Sequence, residues 1–326
     1  MSKGFWEKLN KPFFVLAPMA DVTDAPFRQI IAKYGKPDVT YTEFVSADGL
    51  FLGGKDALVK DLEFTDAERP IVAQFFTSNP ERMKKAAELA CELGFDGIDI
   101  NMGCPDRSIE KQGAGSALMK NPELAKELIE AAKSGAGSAT PPAGGRRIPV
   151  SVKTRVGYNK DELDQWLPVL LEAKPAVVTI HARTRKQMSK VPADWSYIKR
   201  AVEIRDKMKS DTLIAGNGDV LDIKDAREKA KESGADGVML GRAIFGNPWL
   251  FDEDKREVSI EEKLKVLVEH TKLFEEIVPH KNFNIMKKHY KAYVHGWDGA
   301  KELRIKLMEA KSASDVENIV NEYLNK

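Results

Sequence analysis

Cys104 is the residue whose type and position most directly suggest chemistry. It follows an apolar run, Gly97 to Met102, in the segment GIDINMGCPDRSIEKQGAGSALM (97–119), and so stands on a polar loop just past a predicted strand. A thiol with a pKa of about 8.5 is mostly protonated at neutral pH and can donate a proton. By itself, however, a lone cysteine on a loop is more often incidental than catalytic. The other cysteine, Cys91, lies in the helical pattern AAELACELG and is interpreted as a small apolar core residue.

Polar or functional residues also end the other apolar runs of the chain. The residues at or near these ends are Met19, Glu43, Gln74, Asn101, Lys153, His181, Asn217 and Arg242. Such side chains at the ends of successive strands fit an active site better than a hydrophobic core. They require a fold that collects strand ends on one face.

Short apolar, β-branched runs alternate with amphipathic helical patterns through most of the chain. The predicted strands are 14–19, 39–44, 71–76, 97–102, 148–155, 176–183, 213–218 and 237–242. Helices are predicted over 80–93, from 121–122 to about 133, and over 222–233. Near-continuous apolar strands alternating with helices indicate a parallel sheet covered by helices, and eight in succession predict an α/β fold of the (β/α)8 TIM-barrel type.

Glycine-rich turns follow the seventh and eighth predicted strands. They read LIAGNGDV and GVMLGRAIFGNPWLF, and Arg242 adds a charged donor to the second. Barrels of this class bind phosphate at those two positions, where backbone N–H groups meet the anion. The alternative is that both are ordinary tight turns.

Lys153, in SVKTR, is predicted to point from the fifth strand into the barrel mouth. A buried lysine needs an anionic partner. Two partners are open: the N1–C2=O region of a reduced flavin, which a nearby cation stabilises, or a carboxylate such as Glu43. Gln74 can supply both a donor and an acceptor to the polar edge of a flavin ring.

The strand signals stop at about Val258, and three stretches beyond it are predicted to be helical: 261–277, 282–297 and 314–324. We therefore divide the chain into a barrel, residues 1–251, and a small helical domain, residues 252–326. The Gly/Ala/Pro-rich segment 134–149 is expected to be a loose connection on the amino-terminal face of the barrel. Within the helical domain, residues 281–311 are rich in Lys and Arg, with Tyr290, Tyr293 and Trp297 interleaved.

Composition limits the possible functions further. The 326 residues carry 51 basic and 50 acidic side chains, so any nucleic-acid binding must use a local patch. Two cysteines without a CxxC motif make a disulfide framework or a zinc site unexpected. No apolar run of about 18 residues appears, and the first residues lack a signal-peptide pattern. We expect a cytoplasmic protein that needs no metal and no partner subunit.

Ordered motifs across the barrel resemble the tRNA-dihydrouridine synthase family. They are APMADVTDAPFR, TEFVSADGL, QFFTSNPE, GIDINMGCP with KQGAGSAL, VKTRVG, HARTR, NGDV and GRAIFGNPWLF. The resemblance covers residues 13–251 strongly and KKHYKAYVHG with KELR in the tail more loosely. It implies an FMN-dependent enzyme that reduces specific uridines in tRNA with NADPH, or with NADH as the alternative reductant.

The resemblance also implies roles for individual positions, each matched to a motif of this sequence. Cys104 matches the proton donor. The positions implied to contact FMN are Pro18, Met19, Ala20, Gln74, Lys153, His181, Asn217, Gly218, Asp219, Gly241 and Arg242. The positions implied to meet the uridine or tRNA are Asn101, Lys111, Arg155 and Arg183, and we add Lys287, Lys288 and Lys291 from the basic stretch. The loop around Lys111 departs from the usual family pattern.

The implied reaction gives Cys104 a specific task. Reduction of the uracil 5,6 double bond needs a hydride at C6, which reduced flavin supplies from N5, and a proton at C5, which an acid across the base must supply. The alternative function is an FMN barrel acting on free pyrimidines, of the dihydroorotate or dihydropyrimidine type. A barrel that binds tRNA without catalysis is a third possibility. The basic tail argues against the free-pyrimidine enzyme, and Cys104, Lys153 and Gln74 together argue against lost catalysis.

Overall fold

The computed structural model describes residues 3–138, 147–254 and 257–325, and its strands alternate with helices as predicted. The strands are β1 (Phe13–Leu16), β2 (Thr40–Ser46), β3 (Ile71–Phe76), β4 (Gly97–Asn101), β5 (Val150–Arg155), β6 (Val177–His181), β7 (Leu213–Asn217) and β8 (Gly237–Leu240). Each strand is short and nearly fully buried, because helices cover the outside of the sheet and side chains fill the inside.

The eight strands form one parallel sheet in the order β1-β8-β7-β6-β5-β4-β3-β2. The sheet closes on itself between its two end strands: Val15 bridges to Val39, and the Leu16 amide donates to the Val39 carbonyl at 3.1 Å. The predicted TIM barrel is therefore confirmed. Closure brings the carboxyl ends of all eight strands to one rim.

Nine helices of the described part of the chain lie within the barrel region. They are α1 (Ala25–Tyr34), α2 (Ala47–Phe51), α3 (Lys55–Leu58), α4 (Pro80–Glu92), α5 (Arg107–Lys111), α6 (Pro122–Ser138), α7 (Leu163–Glu172), α8 (Ser196–Lys207) and α9 (Ile223–Ser233). Local sequence explains the ends of several. Asn79 caps α4 through its side chain, with Pro80 in the first turn, and Gly234 ends α9 in the left-handed conformation.

Helix α6 corrects the expectation for the segment 134–149. Residues 134–138 continue the helix instead of forming a loose connection, and residues 139–146 lie outside the described residues. The small side chains permit this, because α6 packs closely on α4: a Cβ at Gly135 would lie 2.2 Å from the Lys84 carbonyl oxygen. Gly135, one of the small residues that suggested a loop, is needed here because the two helices pack closely.

The carboxyl-terminal region is helical, as predicted. It contains α10 (Ile260–Ile277), α11 (Met286–Tyr293), α12 (Ala300–Glu309) and α13 (Ala313–Leu324). Helix α12 was not among the predicted stretches. The predicted helix over 282–297 is shorter in the structure, since a 3-10 turn occupies Phe283–Ile285 and α11 ends at Tyr293.

The tail packs on the barrel through a shared apolar cluster. Leu16 and Phe27 of the barrel lie in one buried cluster with Leu267, Phe274 and Tyr293 of the tail. Polar contacts surround this cluster: Lys33 and Tyr34 of α1 both bond the Glu269 carboxylate, at 2.6 Å each. The division into domains at residue 251 stays a prediction, and the core is continuous across it.

Two histidines lie inside this interface. His270 stacks on Phe27 with ring centroids 4.8 Å apart, and the His289 ring is 4.6 Å from that of His270. Both are fully buried, and their ring nitrogens make no hydrogen bond within the part of the chain that the structure describes. Burial lowers the pKa of His289 to about 3 and that of His270 well below its usual value, so both are neutral at physiological pH.

We expect His289→Phe to weaken the acid sensitivity of the fold. An unfolded histidine binds a proton near pH 6.5, whereas folded His289 does so only near pH 3. The free energy of unfolding therefore falls by up to about 1.4 kcal/mol per pH unit as the pH drops between those values. Urea denaturation at about pH 7 and about pH 4.5 should show a smaller loss in the variant than in the wild type. His295→Phe, at an exposed position, is the control; equal losses in His289→Phe and the wild type would contradict this account.

Candidate active site

The predicted site residues from the middle strands lie side by side at the carboxyl rim of the barrel. Sheet register pairs Asn101 of β4 with Lys153 of β5, Arg155 of β5 with His181 of β6, and His181 with Asn217 of β7. The Lys153 ammonium lies 3.3 Å from the Asn217 side-chain oxygen. Residues far apart in the sequence are thus brought together as the barrel prediction required.

Lys153 lies in a strongly cationic, desolvated part of the rim. Burial, and then the neighbouring Arg155, lower its pKa to about 8, while the Asp99 carboxylate acts in the opposite direction. The alternative partner suggested by the sequence, Glu43, is not available to it. The Glu43 carboxylate bonds Lys281 of the tail at 2.6 Å and also accepts from the Asp21 amide at 2.5 Å. Pairing of Lys153 with Glu43 is therefore wrong.

The loop that carries Cys104 is held by side chains of the barrel. The Asn101 side-chain oxygen accepts from the amides of Gly103 and Cys104, at 3.2 and 2.9 Å. Arg155 donates from Nε to the Gly103 carbonyl at 2.8 Å, and the Ser116 amide donates to the Cys104 carbonyl at 2.9 Å. Contacts within the protein therefore fix the backbone on both sides of the thiol.

The Cys104 side chain is half-buried and packs against an apolar cluster of the same rim. That cluster contains Phe76, Ile109 and Ala114, with Phe44 at its margin. Burial raises the pKa of the Cys104 thiol above its usual value, while a backbone hydrogen bond at Asp106 and the Lys153 and Arg155 cations act against it. The thiol therefore keeps its proton at neutral pH.

Cys91, interpreted from sequence as a core residue, packs at the margin of the large barrel core. It is half-buried, and desolvation raises its pKa to about 11. Its sulfur faces the Ala136 carbonyl at 3.7 Å, on the outer helical layer. Both cysteines are free thiols, and Cys104 is the one that lies at the rim.

The two glycine-rich turns are joined by a carboxylate. Asp219 pairs with Arg183 and with Arg242, and accepts from the Ala193 amide at 2.8 Å. Arg183 is almost fully buried, whereas two thirds of the Arg242 side chain (66%) is exposed. Asp219 therefore orients two arginines, and its own charge makes it a poor direct ligand for a phosphate.

His181 is neutral in this setting. Burial and the surrounding cations, Arg155 first among them, hold its pKa well below its usual value. Its Nε2 lies 2.9 Å from a terminal nitrogen of Arg183, and a neutral ring can accept that hydrogen bond. His181 can accept or donate a hydrogen bond here without adding charge.

The donor set at this rim suits an anionic, planar cofactor with a phosphate. Lys153, Arg155, Arg183 and Arg242 bring more positive charge than Asp219 and Asp99 offset. Met19 borders the same region, since a Cβ at Gly241 would lie 3.7 Å from the Met19 sulfur. The Met19 amide donates to Thr23 at 2.9 Å, which shapes the turn that also carries Pro18 and Ala20. The residues present fit FMN.

The remaining predicted residues lie at the edges of the rim. Lys111 is the exposed last residue of α5. Lys288 of α11 is half-exposed and pairs with Asp21 at 3.2 Å, which places that helix beside the loop after β1. Lys287 and Lys291 belong to the same helix and reach solvent.

Part of the predicted basic, aromatic surface is not available to a ligand. Tyr290 and Tyr293 are buried at 0% and 1% exposure, so they pack inside the protein and cannot stack on bases. Lys281 is also largely buried, bonded to Glu43 and to Asp61 at 3.0 Å. The other cations of this stretch that reach solvent are divided between α11, which carries Lys287, Lys288 and Lys291, and the region of α12, with Lys301, Lys306 and Lys311.

Sequence reasoning missed several residues that organise the site. Glu110 pairs with Arg185 and accepts from the Ser116 hydroxyl at 2.7 Å, which ties the Cys104 loop to the loop after β6. Asp99 is fully buried in β4 and bonds Gln74. A carboxylate inside the apolar run GIDINM was a readable signal for Asp99. No local signal marks the Glu110–Arg185 pair, because its partners are 75 positions apart.

The fold and the site place this protein among the (β/α)8 barrel enzymes. Its rim is cationic and carries a cysteine thiol. Among solved structures, the fold resembles a morphinone reductase variant in complex with tetrahydroNAD, with a TM-score of 0.51 and 14% identity over 76% of this chain and 88% of that one. That likeness concerns the fold alone.

Sequence comparison identifies the family. The model described as "Dihydrouridine synthase (Dus)" matches residues 15–326. A Bacillus subtilis protein named "Probable tRNA-dihydrouridine synthase 2" is 40% identical over 100% of this chain and 98% of its own length. A Staphylococcus aureus "Probable tRNA-dihydrouridine synthase" is 39% identical over 99% and 96%. The chain belongs to the dihydrouridine synthase family.

The described residues contain neither a metal-binding cluster nor a membrane-spanning helix. No group of three or more His, Cys, Asp or Glu side chains in 3–138, 147–254 and 257–325 is arranged to hold a metal ion. Among the helices of those same ranges, none has the length and apolar character needed to cross a membrane.

We expect Gly115→Ala to displace the Cys104 loop. Gly115 has φ +59°, and a Cβ there would lie 2.8 Å from the Cys104 carbonyl oxygen. The variant should lose about 1–2 kcal/mol of stability from the left-handed conformation and should change the iodoacetamide modification rate of Cys104. Gly113→Ala is the matched control, because it has φ +75° but meets Ser78 at an ordinary 3.4 Å. If both variants modify Cys104 at the same rate, the close contact at Gly115 does not hold the loop.

Proposed function

We propose that this protein reduces specific uridines of tRNA to 5,6-dihydrouridine, using FMN and a reduced nicotinamide, NADPH or NADH. The observation that carries the proposal is Cys104, a protonated, half-buried thiol on a fixed loop at the rim of a dihydrouridine synthase barrel. The names of the related B. subtilis and S. aureus proteins support tRNA as the substrate. We expect the protein to act as a monomer in the cytoplasm.

Cys104 is the proton donor in this proposal. Its sulfur holds the proton that uracil C5 must receive, and burial keeps the thiol protonated until the base is in place. The Cys104 amide donates to the Asn101 side chain, and the Cys104 carbonyl accepts from the Ser116 amide. Both peptide groups next to the thiol are therefore held by hydrogen bonds. A positioned acid of this kind contributes about 100-fold to 10,000-fold to a rate.

The cationic rim is proposed to hold FMN. The isoalloxazine would lie beside Lys153 and His181 and against the turn of Pro18, Met19 and Ala20. Gln74 is fully buried and its amide already bonds Asp99 and Asn101, so its proposed part in this site is to hold those neighbours. The phosphate would meet the backbone donors of the two glycine-rich turns, which are carried by Asn217, Gly218, Asp219, Gly241 and Arg242. Reduced FMN, when bound, supplies the hydride for uracil C6. Asp219 serves this site by holding Arg183 and Arg242 in place.

Arg155 and Arg183, proposed to approach the uridine or its backbone, are already bonded within the protein. Arg155 donates to the carbonyls of Gly103, Thr184 and Met188, and Arg183 donates to Val191 and pairs with Asp219. Their proposed contribution to RNA binding is therefore electrostatic and organisational. Asn101 and Lys111 complete the proposed set near the base, and Lys287, Lys288 and Lys291 would hold phosphates farther away.

We expect Cys104→Ala to separate the two half-reactions. Flavin content and reduction of the flavin by NADPH should be unchanged, because the substitution removes only the thiol and leaves the residues proposed to hold FMN in place, while dihydrouridine formation falls about 100-fold or more. The measurement is anaerobic NADPH oxidation with an unmodified tRNA transcript, followed by analysis of the digested RNA. Cys91→Ala is the control.

Two outcomes would count against the proposal. Equal loss of flavin reduction in Cys104→Ala would remove the proton-donor role. Oxidation of NADPH with free uracil or a dihydroorotate-type pyrimidine, and not with the transcript, would assign the protein to metabolism of free pyrimidines instead.

We expect charge reversal at Lys287, Lys288 and Lys291 to weaken tRNA binding about tenfold or more. Replacing these lysines by Glu removes phosphate contacts, so the slope of log Kd against log salt should also decrease. Reversal of Lys207, Lys224 and Lys231, exposed on the outer helices of the barrel, changes net charge equally and is the control. A loss of the same size in both triple variants would show that α11 has no specific part in RNA binding.

A further inference from the structure

A chain of buried hydrogen bonds runs from the barrel interior to Cys104. The Gln74 amide nitrogen donates to an Asp99 carboxylate oxygen at 2.7 Å, and the Asn101 amide nitrogen donates to the Gln74 oxygen at 3.0 Å. The Asn101 oxygen then accepts from the amides of Gly103 and Cys104. Asp99 and Gln74 are 0% exposed and Asn101 is 5% exposed, so water does not compete for these bonds.

The two ends of this chain fix its direction. A carboxylate can accept from Gln74 but not donate to it, and backbone N–H groups can donate to Asn101 but not accept. Between these ends, each side-chain amide satisfies both neighbours in one orientation only. If Gln74 turned over, its NH₂ would face the NH₂ of Asn101, and Asn101 would in turn have to present NH₂ to the Gly103 and Cys104 amides.

We propose that Asp99 is a positioning residue for Cys104, acting through the side-chain amides of Gln74 and Asn101 to hold the backbone on which the thiol stands. The inference deepens the proposed function, since its catalytic meaning rests on Cys104 as the proton donor. Asp99 itself touches neither the thiol nor the rim. Asp99 contributes a hydrogen-bond acceptor for the Gln74 amide nitrogen. A donor at this position would force the side-chain amides of Gln74 and Asn101 to turn over.

The arrangement tolerates a change in the protonation state of Asp99. Burial raises the Asp99 pKa to about 7, so both forms exist near neutral pH. Ser151 donates to the second carboxylate oxygen at 2.6 Å and has another acceptor, the Ile98 carbonyl, at 3.2 Å. A protonated Asp99 can therefore donate to Ser151 while its first oxygen still accepts from Gln74.

This tolerance gives a conservative variant and a disruptive one. In Asp99→Asn, the new NH₂ can face Ser151, which turns to Ile98, and the amide oxygen still accepts from Gln74. In Asp99→Leu, a side chain of similar shape offers no acceptor, so the Gln74 NH₂ is left buried without a partner. The Asn variant should preserve the loop, and the Leu variant should loosen it.

The experiment measures the loop directly on the full chain, with folding checked by circular dichroism. Deuterium uptake over residues 102–106 and iodoacetamide modification of Cys104 should both be about tenfold faster in Asp99→Leu than in the wild type. Modification of Cys91, on α4 outside this chain of bonds, is the internal reference and should not change. Asp99→Asn should restore both readouts to wild-type values.

Ser151→Ala is the matched control. It removes a hydrogen bond to the same carboxylate but leaves the oxygen that faces Gln74, so Cys104 modification should stay at the wild-type rate. Should Asp99→Leu fail to fold, Gln74→Met cuts the same chain one residue nearer the loop and carries the same expected result.

Three results would overturn the inference: wild-type modification and uptake in folded Asp99→Leu, an equal acceleration in Asp99→Asn, or an equal acceleration in Ser151→Ala. None of these depends on turnover. If Cys104→Ala proves fully active in dihydrouridine formation, the proton-donor role is lost, whereas the modification and uptake data still decide whether Asp99 positions the loop.

Discussion

Two backbone N–H groups at the end of β4, those of Gly103 and Cys104, share one acceptor, the side-chain oxygen of Asn101. Where a chain leaves a parallel strand, its amides lose their ladder partners, and at a buried rim they need another acceptor. Asn101 supplies it and so fixes the turn that carries Cys104 at the rim. The geometry proposed for proton transfer depends on this turn, because a free loop would not hold Cys104 in one place.

The second organising feature is an excess of positively charged side chains at the rim. Backbone carbonyl groups hold the central one, Arg155, in place. Arg155 is mostly buried, and its pKa is lowered to about 10, first by burial. Its bonds to three loop carbonyls offset part of the desolvation cost without neutralising the charge. With Lys153 and Arg183 nearby, the rim is built for an anion. Binding of FMN, as proposed, would relieve the mutual repulsion of these groups.

The sequence was most informative where local pattern and tertiary role coincide. Eight apolar runs predicted the strands because each strand is buried on both faces, and the functional residues ending those runs marked the rim. It was less informative where packing overrides composition: residues 134–138 resemble a loop but are helical against α4, and Tyr290 and Tyr293 lie in a basic stretch but face the core. Long-range pairs such as Lys281 with Glu43 leave no trace in local spacing.

That last pair determines how the tail can serve the barrel. Lys281 is largely buried between Glu43 and Asp61, so its ammonium depends on these carboxylates for most of its hydrogen bonding. Glu43 also accepts from the Asp21 amide, and Asp21 pairs with Lys288 of α11. The helix proposed to hold RNA phosphates is thereby fixed to the loop that carries Met19. Because that loop belongs to the barrel, the position of α11 relative to the rim is set by the fold and not by a ligand.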